Sequence, residues 1–277
     1  MTVLGPAENP QSSGKRSPWR RILIAVSVLM NVAALGGLVN VIEGRGGFAY
    51  LKSYLTHRSG ANENPAFLQR QSLYELLSTE VHPRPIVFLG DSLTANCEWR
   101  ELLGNRGAIL NRGIGGETSA DALKRSAGVA GMHPLAVFLM VGDNDPQELG
   151  YAPADTLDND REIVRTIHQV SPDTVIYLQS LLPTAAPKFN RWSEQVNRGL
   201  AAMADGDRLR FINLRPAFLR DGVVGKEFVV DGIHLSGKGY LLWKKGIESE
   251  VSRWIASQEL DHCDSIPAAE SPARPVE

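Results

Sequence analysis

A chain of 277 residues, 43% hydrophobic and 22% charged, can bury one sizeable core with appendages but is cramped for two enzymatic domains. A formal charge of −2 offers no basic face for nucleic acid. The two cysteines, Cys97 and Cys263, have neither the number nor the spacing of a zinc site or a disulfide framework.

Residues 1–21 begin with a stretch rich in Pro, Ser and Gly and read as a disordered tail. Ile22 to Ile42, "ILIAVSVLMNVAALGGLVNVI", carries no charge and is long enough to cross a bilayer, so a transmembrane helix or signal anchor is expected over 22–42. Lys15, Arg16, Arg20 and Arg21 crowd its N-terminal flank. That asymmetry orients the remainder of the chain outside the cytoplasm. Small residues at Ala34 and Gly36 offer the rival reading of a cleaved signal peptide, which would make the protein secreted. Residues 43–63 read as a linker.

The main domain is expected over 64–259. Pro65 suits a first helical position, and Leu68, Leu73, Leu76 and Leu77 recur on one face of a helix. Short apolar runs then alternate with amphipathic segments. "PIVFLG", "LAVFLMVG", "TVIYLQS" and "LRFINL" have the length and residue types of buried strands, with "GAILNRG" as a weaker fifth. Helical spacing appears around Ile163, Val164 and Ile167, around Val196, Leu200 and Met203, and across Leu241, Ile247, Val251, Trp254 and Ile255. Strands alternating with helices predict an α/β fold, a parallel sheet covered on both faces. Residues 260–277 read as a second disordered tail.

In such a sheet ligands bind beyond the carboxyl ends of the strands. Ser92 in "FLGDSLTANCEW" stands there, where it fits a nucleophile or a helix cap. A base and an orienting group would separate the two roles. Five of the histidines, His57, His82, His133, His168 and His262, read as surface or packing residues. His234 lies in "VVDGIHLSGKGY", three residues after Asp231 across a glycine-containing turn, a spacing that can bring the carboxylate to Nδ1 and leave Nε2 free. "LNRGIGGETSADAL" supplies glycines whose N–H groups can approach a substrate, or else a tight turn capped by Thr118 or Ser119. "LMVGDNDPQE" ends the third strand with the side-chain amide of Asn144. Asp91, Asp145 and Glu117 read as groups that fix turns.

Together, "GDSLT" at 90–94, "GIGGETS", "GDND" and "DGIH" at 231–234 resemble the four blocks of the SGNH (GDSL-type) esterase and lipase superfamily, in that family's order across about Pro85 to Ile255. "NRGIGGETSADAL" and "LQSLLPT" look most like its platelet-activating-factor acetylhydrolase and lysophospholipase-like branches. The resemblance implies a flavodoxin-like three-layer α/β/α sandwich. It also implies Ser92 as nucleophile, Asp231 and His234 as orienter and base, and an oxyanion hole made by Ser92 N–H, Gly116 N–H and Asn144. No metal and no organic cofactor are implied. Asp143 departs from the family pattern, in which Thr or another small residue often precedes the Asn, and its side chain is expected to point away from the oxyanion.

The expected activity is hydrolysis of a small-molecule, lipid or glycan ester through an acyl-enzyme. Strands and helices follow one another with short connections and no apolar insertion to serve as a lid, so short acyl groups are favoured. Cys97 is a candidate for lining the acyl pocket or for simple packing. Acyl transfer to a surface glycan would use the same residues. A metal-dependent phosphoesterase built on Asp91, Asp143, Asp145, Asp231 and His234 is a second class, and an inactive membrane-held binding module a third.

Overall fold

A computed structural model describes residues 18–44, 65–79 and 84–264. Most of the expected tails and linker lie outside the described residues. The chain divides into two units, Met1–Leu55 and Thr56–Glu277.

The first unit contains helix α1, Pro18–Gly44. Side chains such as Leu23, Leu29 and Leu35 stand exposed along it. Among the described residues no helix is long and apolar enough to cross a membrane, so the transmembrane span expected over Ile22–Ile42 is not found there.

The second unit is an α/β sandwich. Its five-stranded sheet is wholly parallel, in the order β2-β1-β3-β4-β5. The strands are β1 (Ile86–Gly90), β2 (Ile109–Gly113), β3 (Ala136–Met140), β4 (Val175–Gln179) and β5 (Leu209–Ile212). All five expected strands form. Every residue of β1, β3 and β4 is buried, which is why these strands read as continuous apolar runs rather than as alternating patterns.

One face of the sheet carries an aromatic row set by strand register. Phe88 pairs with Phe138 and Phe138 with Tyr177, and the rings stack at 5.0 and 4.6 Å. Trp99 stacks on Phe88 at 4.1 Å and meets Trp243 edge-on at 4.9 Å. Trp243 belongs to the C-terminal helix, whose indoles are also anchored by hydrogen bonds: Trp243 Nε1 donates to Gln179 Oε1 at 2.7 Å and Trp254 Nε1 to Tyr177 Oη at 3.1 Å. The longer helices of this unit in chain order are α2 (Pro65–Leu77), α3 (Ser119–Ala130), α4 (Pro153–Val170), α5 (Pro187–Met203) and α6 (Gly237–Asp264), and α3, α4 and α5 pack side by side.

Two helical faces differ from expectation. On α2 the buried residues are Phe67 and Tyr74, whereas Leu68, Leu73 and Leu76 are exposed, because the aromatic rings rather than the leucines meet Ile114 beyond β2. On α6 Trp243 is fully buried and Leu241 is exposed. A small antiparallel pair, β6 (Leu219–Arg220) with β7 (Val223–Val224), was not foreseen; two-residue strands carry no readable period.

The order 2-1-3-4-5 makes the chain leave β1 toward one side for β2 and return to the other side for β3. Such a switch opens a crevice beyond the carboxyl end of β1, and Ser92 is two residues past Gly90.

Candidate active site

Ser92 begins a single helical turn, Ser92–Ala95, directly after β1. The cap of that turn is Asp91, whose Oδ1 accepts from Leu93 N at 3.0 Å, so the serine hydroxyl is not used for capping. The turn fits tightly against its neighbours. A Cβ on Gly90 would lie 2.0 Å from the Met140 carbonyl oxygen, and one on Gly113 would lie 2.2 Å from Ala95 N. These glycines let β1, β2 and the serine turn approach more closely than any side chain would allow.

Ser92 Oγ lies 3.0 Å from His234 Nε2, and His234 Nδ1 lies 2.7 Å from Asp231 Oδ2. A carboxylate only accepts hydrogen bonds, so Nδ1 carries the proton and Nε2 is left to accept from the serine hydroxyl. The Asp231 carboxylate also accepts from the backbone N–H groups of Ile233 (3.0 Å) and His234 (2.8 Å) through Oδ1. The bond from the His234 ring, followed by these backbone bonds, holds the carboxyl well below the usual range, so Asp231 stays ionised.

The glycine loop after β2 brings up its backbone. Gly116 has φ +77, a left-handed conformation that suits glycine. The N–H groups of Ser92 and Gly116 donate in none of the turn, loop or cap hydrogen bonds among the described residues. Thr118, one of the two residues expected as a cap, caps α3 in a reciprocal box with Asp121. Asn144 does not bond its own turn. Its Nδ2 donates to the Glu117 carbonyl at 2.9 Å, which ties the end of β3 to the glycine loop and leaves the second amide hydrogen for another acceptor.

Asn111 and Arg125, beneath these loops, were not identified from sequence. Asn111 of β2 donates through Nδ2 to the carbonyls of Thr94 (3.1 Å), Ala95 (3.2 Å) and Cys97 (2.9 Å), and its Oδ1 accepts from Gly113 N at 2.8 Å. One side chain thus clamps the serine turn to the glycine loop; a polar residue in the middle of a half-buried strand was the available signal. Glu117 is fully buried and paired with Arg125 of α3, whose Nη2 also reaches the Arg112 carbonyl. Burial pushes the Glu117 carboxyl up to about 7 against the pull of Arg125. Asp145 accepts from Ser119 N at 2.8 Å, from the Ser119 hydroxyl, and from Thr156 Oγ1 at 2.6 Å, the turn-fixing role read for it.

Asp143 lies within the domain, with both carboxylate oxygens shielded from solvent and without hydrogen-bond partners. Burial and then the Asp145 charge push its carboxyl up to about 7, with Arg215 opposing. Asp91 is raised as well, by burial and then by Asp143. The ligand set of the phosphoesterase reading is not assembled: among the described residues no group of three or more His, Cys, Asp or Glu is arranged to hold a metal ion. Asp91, Asp143 and Asp145 are buried, whereas Asp231 and His234 lie on the exposed rim. Cys97 is a buried free thiol, pushed up to about 12 by burial and by Glu98, which suits packing rather than nucleophilic chemistry.

Residues 88–242 match the GDSL-like lipase/acylhydrolase family. Comparison with curated proteins finds no match. Among solved structures, the domain is similar to a protein assigned as a platelet activating factor from Streptococcus pneumonia (24% identity, 67% of this chain and 92% of that one, TM-score 0.60). It is also similar to a protein assigned as an acylhydrolase from Bacteroides fragilis (23%, 69% and 99%, 0.58) and to a GDSL-like lipase from Bacteroides thetaiotaomicron (20%, 68% and 98%, 0.56). With the family match spanning the serine turn, the glycine loop and the Asp231–His234 segment, the chain belongs to the GDSL-like lipase/acylhydrolase family and is a carboxylic ester hydrolase.

Proposed function

We propose that Ser92, His234 and Asp231 act as a triad that hydrolyses short-chain carboxylic esters through an acyl-enzyme. The observation that carries this reading is the continuous chain from Ser92 Oγ to His234 Nε2 at 3.0 Å and from His234 Nδ1 to Asp231 Oδ2 at 2.7 Å. His234 takes the serine proton as Oγ bonds to the ester carbonyl carbon. The oxyanion is received by Ser92 N–H, Gly116 N–H and the second hydrogen of Asn144 Nδ2. His234 then gives its proton to the leaving alkoxide as the carbon–oxygen bond breaks, and water repeats the cycle on the acyl-enzyme. Asp231, ionised and bonded to Nδ1, stabilises the transient imidazolium.

The preference for short acyl groups is supported by the absence, between β1 and α6, of an apolar insertion that would wall a deep channel. A p-nitrophenyl ester series from acetate to palmitate tests it: kcat/KM is expected to be highest at acetate or butyrate, and a steady rise beyond octanoate would refute it. Adding a sugar acceptor to the same assay and assaying for acylated product distinguishes hydrolysis from acyl transfer.

Attachment to a membrane through the N-terminal helix, with the catalytic unit outside the cytoplasm, is supported by the uncharged sequence Ile22–Ile42 and by its basic N-terminal flank. A phosphatase that is active only in the periplasm, fused after Glu277, is expected to work in a membrane-bound fraction. Activity only of a cytoplasmic reporter would reverse the orientation.

A further inference from the structure

We infer that a groove on the His234 side of the serine receives the alcohol half of the ester, and that this half carries an apolar group without negative charge. The inference rests on the proposed ester hydrolysis and adds to it the class of leaving group.

The groove has a volume of about 460 Å³ and lies between the residues that follow Ser92 and those that follow His234. It starts at Asn96, whose N–H donates to the Ser92 carbonyl at 3.0 Å. On the other side it starts at Gly237, three residues past His234. Tyr240 ties the two walls together, its Oη donating to the Leu93 carbonyl at 2.9 Å. Cys97, Leu102 and Leu241 give it apolar lining. Leu241 is 59% exposed, and Val230 and Ile233, on either side of Asp231, are exposed too. The Cys97 thiol stays protonated, so it contributes an apolar surface rather than a charge.

The stereochemistry of the reaction assigns the occupant. The carbonyl oxygen must face Gly116 and Asn144. The leaving oxygen must reach His234 Nε2, because that nitrogen returns the proton when the bond to the acyl carbon breaks. A substituent on the leaving oxygen therefore extends along the segment that continues from His234 into α6, which forms one wall of the groove. Glu98 and Glu101, both exposed at its edge, place two carboxylates beside the entrance and disfavour an anionic alcohol. The acyl group takes the remaining direction.

The test uses the full chain and acetate esters of methanol, butanol, hexanol and octanol. From methyl to hexyl, kcat/KM is expected to rise about two- to fourfold per methylene, as buried apolar surface accumulates. A hexyl acetate ending in a carboxylate should react at least about tenfold more slowly than one ending in trimethylammonium. Leu241→Asp and Gly237→Phe should each cut the hexyl-to-methyl ratio by about tenfold; a Cβ at Gly237 meets no atom within 4 Å, so the backbone there accepts a side chain at the groove wall. Val170→Ser, an exposed change at the end of α4, should keep the wild-type ratio. Turnover with a flat alcohol series, or a ratio unchanged in both groove variants, would overturn this inference alone. A steep acyl series that Gly237→Phe flattens would assign the groove to the acyl half instead. No turnover with any ester would overturn the proposed hydrolysis as well.

Discussion

The two halves of the site are held in opposite ways. Ser92 and the glycine loop sit on the carboxyl edge of a buried sheet and are fixed from below by distant residues: Asn111 binds three carbonyls of the serine segment, Arg125 pairs with Glu117, and Asp145 gathers Ser119 and Thr156. Asp231 and His234 sit on a rim, with side chains 53% and 39% exposed, in a loop that largely folds on itself. Val230 N donates to the His234 carbonyl at 2.8 Å, Val229 bridges to Leu235, and Asp231 caps its own turn. One tie to the rest of the domain is Ala185 N to the Gly232 carbonyl at 2.9 Å. The nucleophile and oxyanion donors are thus positioned by the core, and the base by local backbone chemistry. Changes at the rim should therefore alter catalysis with little cost in folding, whereas changes below the serine should alter both.

The largest effect that sharpens this contrast is expected at Asp231. Asp231→Asn favours the wrong imidazole tautomer and should lower kcat by roughly four powers of ten, while the unfolding midpoint stays close to that of the wild type because the group is exposed. Loss of folding in this variant would show that the rim is not self-contained. Protonation of Asp231 will not set the acid limb of the rate profile, because its carboxyl is held well below the usual range.

A smaller loss is expected at Asn144, which belongs to the core-held half. Asn144→Ala should reduce kcat by about 10²–10³ with little change in KM, and should also weaken folding by about 0.5–1.5 kcal/mol through the lost bond to Glu117. A fall of less than about threefold would make Asn144 a structural tie only.

The smallest effect on rate and the clearest on pH is expected at Asp143. Its carboxyl is raised to about 7 in the fold, above the value near 3.8 that it takes when exposed. Between those values the unfolded chain loses the proton while the folded one keeps it, so this group lowers stability progressively as pH rises from about 4 through about 7. Asp143→Asn should therefore gain about 1–3 kcal/mol over the wild type at pH 8 and little at pH 4. A gain that is equal at both pH values would contradict the burial of an ionising group.

The sheet was legible in the sequence because the central strands, buried on both faces, leave uninterrupted apolar runs, and the runs of β1 and β3 end shortly before Ser92 and Asn144. Ser92, Asp231 and His234 could be proposed because they stand in short local segments. What the sequence hid was long-range. Asn111 reads as one polar residue in a weak strand, yet it bonds carbonyls fourteen to seventeen positions away. Glu117 and Arg125 are close in sequence, but nothing in their spacing says that both are buried. The helical periodicity of α2 was readable, but not which face would turn inward, since Tyr74 and Phe67 compete with four leucines for the same contact with Ile114. Leu241 likewise shares the helical spacing of α6, yet it is exposed while Trp243, two positions on, is buried.

The claim on which the rest depends is that Ser92 is activated by His234 and forms a covalent acyl-enzyme. The most direct measurement is mass spectrometry of the protein after treatment with a fluorophosphonate, with peptide mapping of the adduct. The account predicts one adduct on Ser92 in the wild type, none in Ser92→Ala, and strongly slowed labelling in Asp231→Asn. An adduct on another residue, or ester turnover that persists in Ser92→Ala, would contradict it.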